Sequence, residues 1–368
     1  MMGDDSLSGS ARYGVRLLAI AYLAVFCTVV ALAAGVAFLG DPHAGEPLVR
    51  LDLKITRSAR VATQIPSSAP SVVPPAQDTT TATPASSAMP GEIAIPQQPV
   101  MAGRALIADP DLIEKTPQGP LPRIASNGMT PMKAYAPAIT VNSQPRIAIV
   151  IGGLGISAKV TSYALATLPA GVTLAFAPYA GDVQHWVSEA RNRGHEVLLE
   201  IPMEPFDFPD SDPGQYTLRS GAGEDSNTQR LVWALTRFTG YAGTTNLLGG
   251  RLLTDAGALE PVLTYLARRG LLFYDNGSAA HSVAPDVASR VGAPFAQATV
   301  TIDSIQAAME IDHHLSDLET QARATGSASG AGFLHPVTIE RVTKWAQGLS
   351  GRGFVLVPVS AIVSQPKQ

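Results

Sequence analysis

The stretch RIAIVIGGLG, from Arg146 to Gly155, decides the fold of this chain. Its apolar residues, most of them β-branched, follow one another without interruption and end in a pair of glycines. Such a run, bounded by turn residues, is typical of a strand that is buried on both faces of a sheet. The glycines predict a tight turn at the carboxyl end of the strand, where α/β folds place their functional sites.

Strand and helix patterns alternate from this strand to the C-terminus. About seven or eight predicted strands alternating with helices indicate an α/β fold whose parallel sheet is closed, or nearly closed, into a (β/α) barrel. In such barrels the carboxyl ends of the strands form the site. The residues at the predicted strand ends are Gly152, Gly153, Pro178, Glu200, Asn246, Asp275, Asp303, His335 and Ser360.

Composition and charge exclude some classes of function. The chain has 368 residues, a net charge of −4 and a pI near 6.0. It carries no basic excess of the kind that nucleic-acid binding requires, so no nucleic-acid partner is expected. Cys27 is the only cysteine, which excludes an intramolecular disulfide and a cysteine-based metal site.

The N-terminal region has the pattern of a membrane anchor. Residues 17–39 are uncharged and mostly apolar, and at about 1.5 Å per residue they are long enough for a bilayer core of about 30 Å. Arg12 and Arg16 precede the run, whereas Asp41 and Glu46 follow it. The positive-inside rule then predicts a cytoplasmic N-terminus (1–16), a single-pass signal anchor (17–39) in the inner membrane and a periplasmic remainder. A cleaved signal peptide is the alternative, but its apolar core usually runs only about 7 to 15 residues.

Residues 40–145 differ in composition from the rest of the chain. They hold more than half of its 29 prolines, with serine, threonine and alanine between them. Proline removes backbone donors, and the segment has too little periodic apolar surface to offset the entropy of ordering. These residues are predicted to be a disordered linker, and residues 146–364 are predicted to be the folded domain.

From Arg146 onward the chain resembles the divergent polysaccharide deacetylase family, whose fold is a distorted (β/α) barrel. The resemblance rests on several motifs along the domain. They are RIAIVIGGLG, GHEVLLEIPMEP, TNLLGGRLLTD, GLLFYDNGS and LHPVTIERVTKWA.

The chain departs from the family pattern at the positions that carry chemistry. The family's first strand typically ends in two aspartates, which are Gly152 and Gly153 here. A family histidine before PMEP is replaced by Glu200, and the histidine of the Asn-Asn-His motif is replaced by Leu247. The histidine of the Gly-His-Pro motif is retained as His335.

The resemblance implies hydrolysis of an N-acetyl group by a divalent metal that activates water, with a carboxylate base and a histidine acid. Glycine and leucine cannot bind a metal, so the inherited metal site is predicted to be absent and no cofactor is expected. A metal would bind only in a rebuilt all-oxygen cluster of Glu200, Asp275 and Asp303. The candidate catalytic residues are His335 and Asp303, and the candidate substrate-binding residues are Glu200, Asn246 and Asp275.

Three hypotheses for function follow. The first is a membrane-anchored domain that binds an N-acetylated envelope glycan with impaired or lost deacetylation, using the polar strand ends and the aromatic residues Tyr179, Trp186 and Tyr216, although aromatic residues are more often core. The second is an active hydrolase with a site rebuilt from Glu200, Asp275, Asp303 and His335. The third is a protein-interaction module in a cell-envelope assembly, because a long tether lets a domain search for a partner.

Overall fold

The computed structural model describes residues 109–138 and 143–363, which form one sheet with helices around it and a small hairpin. The helices are α1 (Pro131–Tyr135), α2 (Ala158–Thr167), α3 (Val183–Asn192), α4 (Glu224–Leu235), α5 (Ala256–Arg268), α6 (Ala284–Val291), α7 (Ala308–Thr325) and α8 (Pro336–Gln347). The strands are β1 (Ile113–Thr116), β2 (Gly119–Pro122), β3 (Arg146–Leu154), β4 (Thr173–Phe176), β5 (Val197–Met203), β6 (Gly243–Leu248), β7 (Leu272–Asp275), β8 (Phe295–Gln297), β9 (Val300–Thr301), β10 (Ser327–Phe333) and β11 (Val355–Leu356).

The main sheet is parallel and curled, as predicted. Its strand order is β8-β7-β6-β5-β4-β3-β10-β9, with β11 beside the start of β3. The two ends of the sheet come together in residues 295–301. The Ala298 N–H donates to the carbonyl of Asp275 in β7 at 2.8 Å, and the Thr299 N–H donates to the carbonyl of Ser329 in β10 at 2.7 Å. The same short segment therefore bonds to both ends of the sheet.

Strand β3 packs between two apolar clusters, which explains why it reads as an unbroken apolar run. Ile147, Ile149 and Ile151 pack in the cluster that the sheet forms with the surrounding helices. Ala148 and Val150 alternate with them and belong to a second cluster, on the inner face of the curled sheet. Successive side chains of a strand point to opposite faces, so a strand that lies between two cores has no polar face.

The folded domain begins before Arg146, so the prediction of a linker up to residue 145 is wrong over part of its length. Residues 110–122 form a 3-10 helix and the β1–β2 hairpin, and α1 follows them. Leu112, Met132 and Tyr135 are buried in the inner cluster of the sheet. These apolar residues are irregularly spaced among prolines, and therefore they produce no helical or strand period in the sequence.

The last predicted strand is present as β11, but its predicted end at Ser360 is wrong. Pairing of β11 with β3 ends at Leu356, and a 3-10 helix follows at Val359–Ile362. The Ser360 N–H donates to Glu196 Oε1 at 3.1 Å. Because Glu196 directly precedes β5, Ser360 lies at the amino end of the sheet and not at the predicted site. Pro358 explains the early end of the strand, because proline has no N–H for strand pairing.

The predicted anchor, residues 17–39, lies outside the described residues. Within residues 109–138 and 143–363, no helix has both the length and the apolar character that a membrane span requires.

Candidate functional site

The carboxyl ends of the parallel strands and the loops that follow them lie on one side of the sheet, which we call the mouth. Parallel pairing brings the sequence-predicted site residues to this side from separate parts of the chain. Gly152 and Gly153 lie in β3, Glu200 in β5, Asn246 and Leu247 in β6, Asp275 at the end of β7, Asp303 just after β9 and His335 just after β10.

Glu200 fills the space that a side chain at position 152 would need. Its Oε1 atom accepts a hydrogen bond from the Gly153 N–H at 2.9 Å. A Cβ atom added to Gly152 would lie 2.4 Å from the same oxygen, well inside van der Waals contact. An aspartate at position 152 and the present position of the Glu200 carboxyl group are therefore incompatible.

Phe333 fills the corresponding space at position 153. The backbone of Gly153 has φ of +80°, a region that residues with a side chain rarely adopt. A Cβ atom there would lie 2.4 Å from the Phe333 ring. Both positions of the family's aspartate pair are thus occupied by side chains from other strands, Glu200 from β5 and Phe333 from β10.

The Glu200 carboxyl group is buried and has few hydrogen bonds to replace those it would make with water. The residue is 3% exposed, and its Oε2 atom has no hydrogen-bond partner among the described residues. Burial raises the pKa of Glu200 from 4.5 to about 8. The hydrogen bond from the Gly153 N–H lowers the pKa, but its effect is smaller than that of burial. Glu200 is consequently mostly in its neutral acid form at pH 7, in which it can donate a proton.

Thr245 is the neighbour of Glu200 in β6. The two residues are paired in register, so their side chains lie on the same face of the sheet. The Thr245 Oγ1 atom is also buried without a hydrogen-bond partner in residues 109–138 and 143–363. Two adjacent polar groups at the inner face of the mouth are therefore left without partners.

Asp303 and His335 are both neighbours of Phe333. Asp303 Oδ2 accepts hydrogen bonds from the Phe333 N–H and the Thr338 hydroxyl, both at 2.8 Å. This carboxylate therefore joins the end of β10 to the first turn of α8. The His335 ring lies 5.5 Å from the Phe333 ring, centroid to centroid, and Asp303 is not among its contacts in the described residues.

Asp275 and Asn246 are buried in separate hydrogen-bond networks. Asp275 accepts from the Gly277 N–H at 2.9 Å and from Gln297 Nε2 at 3.4 Å, and burial raises the pKa of its carboxyl group. Asn246 Nδ2 donates to Asn276 Oδ1 at 2.7 Å and Ser278 Oγ at 2.9 Å. In the structure both residues hold the β6 and β7 loops in place; contact with a substrate stays a prediction.

The residues at the mouth do not fit a divalent metal. Gly152, Gly153 and Leu247 supply no ligand atom, and Glu200 and Phe333 take the space of the missing pair. In the part of the chain that the structure describes, no group of three or more His, Cys, Asp or Glu residues is placed to hold an ion. The structure does not bring Glu200, Asp275 and Asp303 into the rebuilt cluster considered above.

The three aromatic residues named from the sequence have different surroundings. Tyr216 stacks on Trp233 at 3.7 Å with an angle of 6° between the rings, and Trp186 packs against the core. Tyr179 lies 5.0 Å from Trp233 and is 42% exposed. Trp233, which contacts both tyrosines, was not identified as a candidate from the sequence.

Exposed apolar side chains at the mouth, together with Phe333, are the features that sequence reasoning missed. Of the large hydrophobic residues exposed in residues 109–138 and 143–363, only Ile124 and Tyr163 lie elsewhere. The others are Ile156 (61%), Tyr179 (42%), Phe206 (64%), Leu248 (39%), Ile305 (58%) and Met309 (83%). Phe333 itself had one sequence cue, since it is the only large residue in the run SASGAGF.

Comparisons with known proteins agree with the resemblance found in the sequence. The family model for divergent polysaccharide deacetylases matches residues 149–363. The crystal structure of an uncharacterised protein, ATU2773 of Agrobacterium tumefaciens C58, is similar with a TM-score of 0.66 and 40% identity, covering 67% of this chain and 100% of that chain. The uncharacterised protein YibQ of Escherichia coli K12 is 25% identical over 223 residues, 60% of this chain and 68% of YibQ.

A further relative is an uncharacterised protein of Haemophilus influenzae Rd, 24% identical over 197 residues, which are 54% of this chain and 69% of that protein. The family model spans more than half of the chain, and the relative of known structure is matched over its whole length. This protein belongs to the divergent polysaccharide deacetylase family.

Proposed function

We propose that the domain is a non-hydrolytic member of its family, which binds an N-acetylated envelope glycan at the mouth without removing the acetyl group. The observation that carries the proposal is the filling of both aspartate positions, by the Glu200 carboxyl group and the Phe333 ring. A metal-bound water cannot be generated without ligands, and the remaining acid and histidine produce no nucleophile by themselves.

Tyr179 is the residue best placed to contact a sugar. It combines an exposed ring with support from Trp233 behind it. Its hydroxyl accepts the Tyr216 N–H at 3.2 Å, so the ring orientation is set from two sides. A preorganised aromatic face next to polar groups is the usual composition of a site for a small polar ligand.

The proposed location is the periplasmic side of the inner membrane, with residues 17–39 as the anchor. This part rests on the sequence pattern alone, namely the uncharged run and the arginines before it. Peptidoglycan would then be the N-acetylated polymer within reach of the tether.

The test uses the full chain in lipid nanodiscs. N-acetylglucosamine oligomers are titrated by calorimetry, and acetate release is measured with zinc, manganese, magnesium or no added metal. We expect saturable binding with no acetate release under any metal. Tyr179→Ala should abolish the binding, whereas Tyr163→Ala, which removes an equally exposed tyrosine from α2, should not.

Two results would contradict the proposal. Metal-dependent acetate release would show that a hydrolytic site exists and would restore the rebuilt-site hypothesis. Absence of binding to every N-acetylated oligomer tested would contradict the assignment of a glycan as the ligand.

A further inference from the structure

Five exposed apolar side chains lie on the loops of the mouth: Ile156, Phe206, Leu248, Ile305 and Met309, which we call the apolar rim. Each lies at or just after the carboxyl end of a different strand, except that Ile305 and Met309 both follow β9. These strands lie in one part of the sheet, whose order is β6-β5-β4-β3-β10-β9. Strands β4 and β10 of this part carry no rim residue.

The exposure of the rim is large for a surface without a partner. Met309, Phe206, Ile156 and Ile305 are each more than half exposed, at 83%, 64%, 61% and 58%. Single exposed hydrophobic residues are ordinary, but a group of them on the loops at one side of a sheet indicates an interaction surface. Methionine and aromatic side chains are also enriched in protein–protein interfaces.

The apolar rim favours a polypeptide as its occupant, because the space beside Gly152 and Gly153 is filled. Phe333 covers Gly153, and the Glu200 carboxyl group fills the space beside Gly152. The interior is thus occupied by the protein's own side chains, and the exposed apolar area lies around it. A partner that spans several loops can contact this area, whereas a small ligand that needs enclosure cannot.

The charges around the rim limit the partner further. Asp182, Asp207, Asp210 and Asp212 are exposed in the loops after β4 and β5, and none of them forms an ion pair within residues 109–138 and 143–363. Arg251, the exposed arginine in the loop after β6, faces the Glu204 carboxylate at 3.8 Å. Exposed Glu310 beside Met309 adds a further carboxylate, and exposed Lys159 after Ile156 is an opposing cation, so negative charge is in excess. An apolar surface with this excess attracts cationic apolar segments and repels anionic lipid, nucleic acid and a second copy of itself.

We propose that the apolar rim and the aspartates beside it form a docking surface for an apolar, positively charged segment of a partner protein. Glycan binding is assigned to Tyr179, which is not part of the rim as defined. The rim supplies the buried area, and the aspartates raise the association rate and select the sign of charge on the partner.

The probe is a labelled amphipathic peptide of leucine and lysine, titrated against the full chain in uncharged nanodiscs. A leucine–glutamate peptide and a serine–lysine peptide serve as matched probes. We expect the leucine–lysine peptide to bind, and Phe206→Ser with Met309→Ser to weaken the binding about tenfold. Ile124→Ser is the control, because Ile124 is as exposed as Leu248 and lies in the N-terminal segment, away from the rim.

The electrostatic part is tested by Asp207→Asn with Asp210→Asn, which should weaken binding and reduce its dependence on salt. The proposal would be overturned if the rim variant bound the leucine–lysine peptide as tightly as the wild type does. It would also be overturned if the wild type bound the leucine–glutamate peptide as tightly as the leucine–lysine peptide. Rim-dependent binding to anionic vesicles or rim-dependent dimerisation in place of peptide binding would overturn it as well, since each assigns the face to another occupant. Glycan binding is measured independently with N-acetylglucosamine oligomers, so failure of the glycan assignment leaves the outcome of the peptide titration unchanged.

Discussion

Replacement of Glu200 by glutamine tests the central contact of the mouth. The side chain is 3% exposed and has one hydrogen bond, from the Gly153 N–H, while its Oε2 atom is unpartnered among the described residues. Glutamine has the shape of the neutral acid and can accept the same hydrogen bond through its oxygen. Glu200→Gln should therefore keep the packing and remove only the ionisation.

The magnitude follows from the pKa of Glu200, which burial raises from 4.5 to about 8. The neutral acid contributes stability that is fully present below pH 4.5 and is lost as the pH rises toward 8, because the unfolded chain ionises first. The loss is about 1.4 kcal/mol per pH unit, which gives about 3 kcal/mol at pH 7. Glutamine does not ionise, so the variant should be more stable than the wild type by about this amount.

The assay is urea unfolding of the full chain from pH 5 to 9, followed by tryptophan fluorescence. All 3 tryptophans, Trp186, Trp233 and Trp345, lie in the folded domain and report on it. The free energy of unfolding of Glu200→Gln minus that of the wild type should grow with pH and level off above pH 8. Glu340→Gln, at an exposed position of α8, should show no such trend. A difference that is independent of pH would refute the buried neutral acid.

Two further predictions concern the same region. Gly152→Ala should destabilise the wild-type domain by about 1 to 3 kcal/mol through the contact with Glu200, but clearly less in a Glu200→Ala background. A double-mutant cycle in urea measures the coupling between the two positions, and additive effects would show that they do not share space. Asp303→Ala should cost about 3 kcal/mol, because the Phe333 N–H and the Thr338 hydroxyl lose their acceptor, whereas Asp286→Ala, at an exposed site in α6, should cost little; equal thermal stability of the two variants would contradict the bridging role of Asp303.

Local patterns in the sequence were sufficient for the fold class and for the position of the mouth. The apolar run before Gly152 is a strand of the main sheet, and the alternation that follows it gives the curled parallel sheet. The pattern failed where apolar residues are sparse or small. Strand β10, with the sequence SASGAGF, was predicted only near its end, because glycine, serine and alanine give no strand periodicity.

The loss of the family's aspartates and histidine could be read from the sequence alone, because the residue type at each motif position is given directly by the sequence. What occupies the vacated space could not be read in this way. Glu200 and Phe333 lie far from Gly152 and Gly153 along the chain, and they reach them only through the parallel pairing of β10 with β3 and the curl that brings β5 close to β3. Strand register and sheet curvature are set by the packing of the whole domain, and for this reason only the tertiary structure decided that the site is filled and its rim apolar.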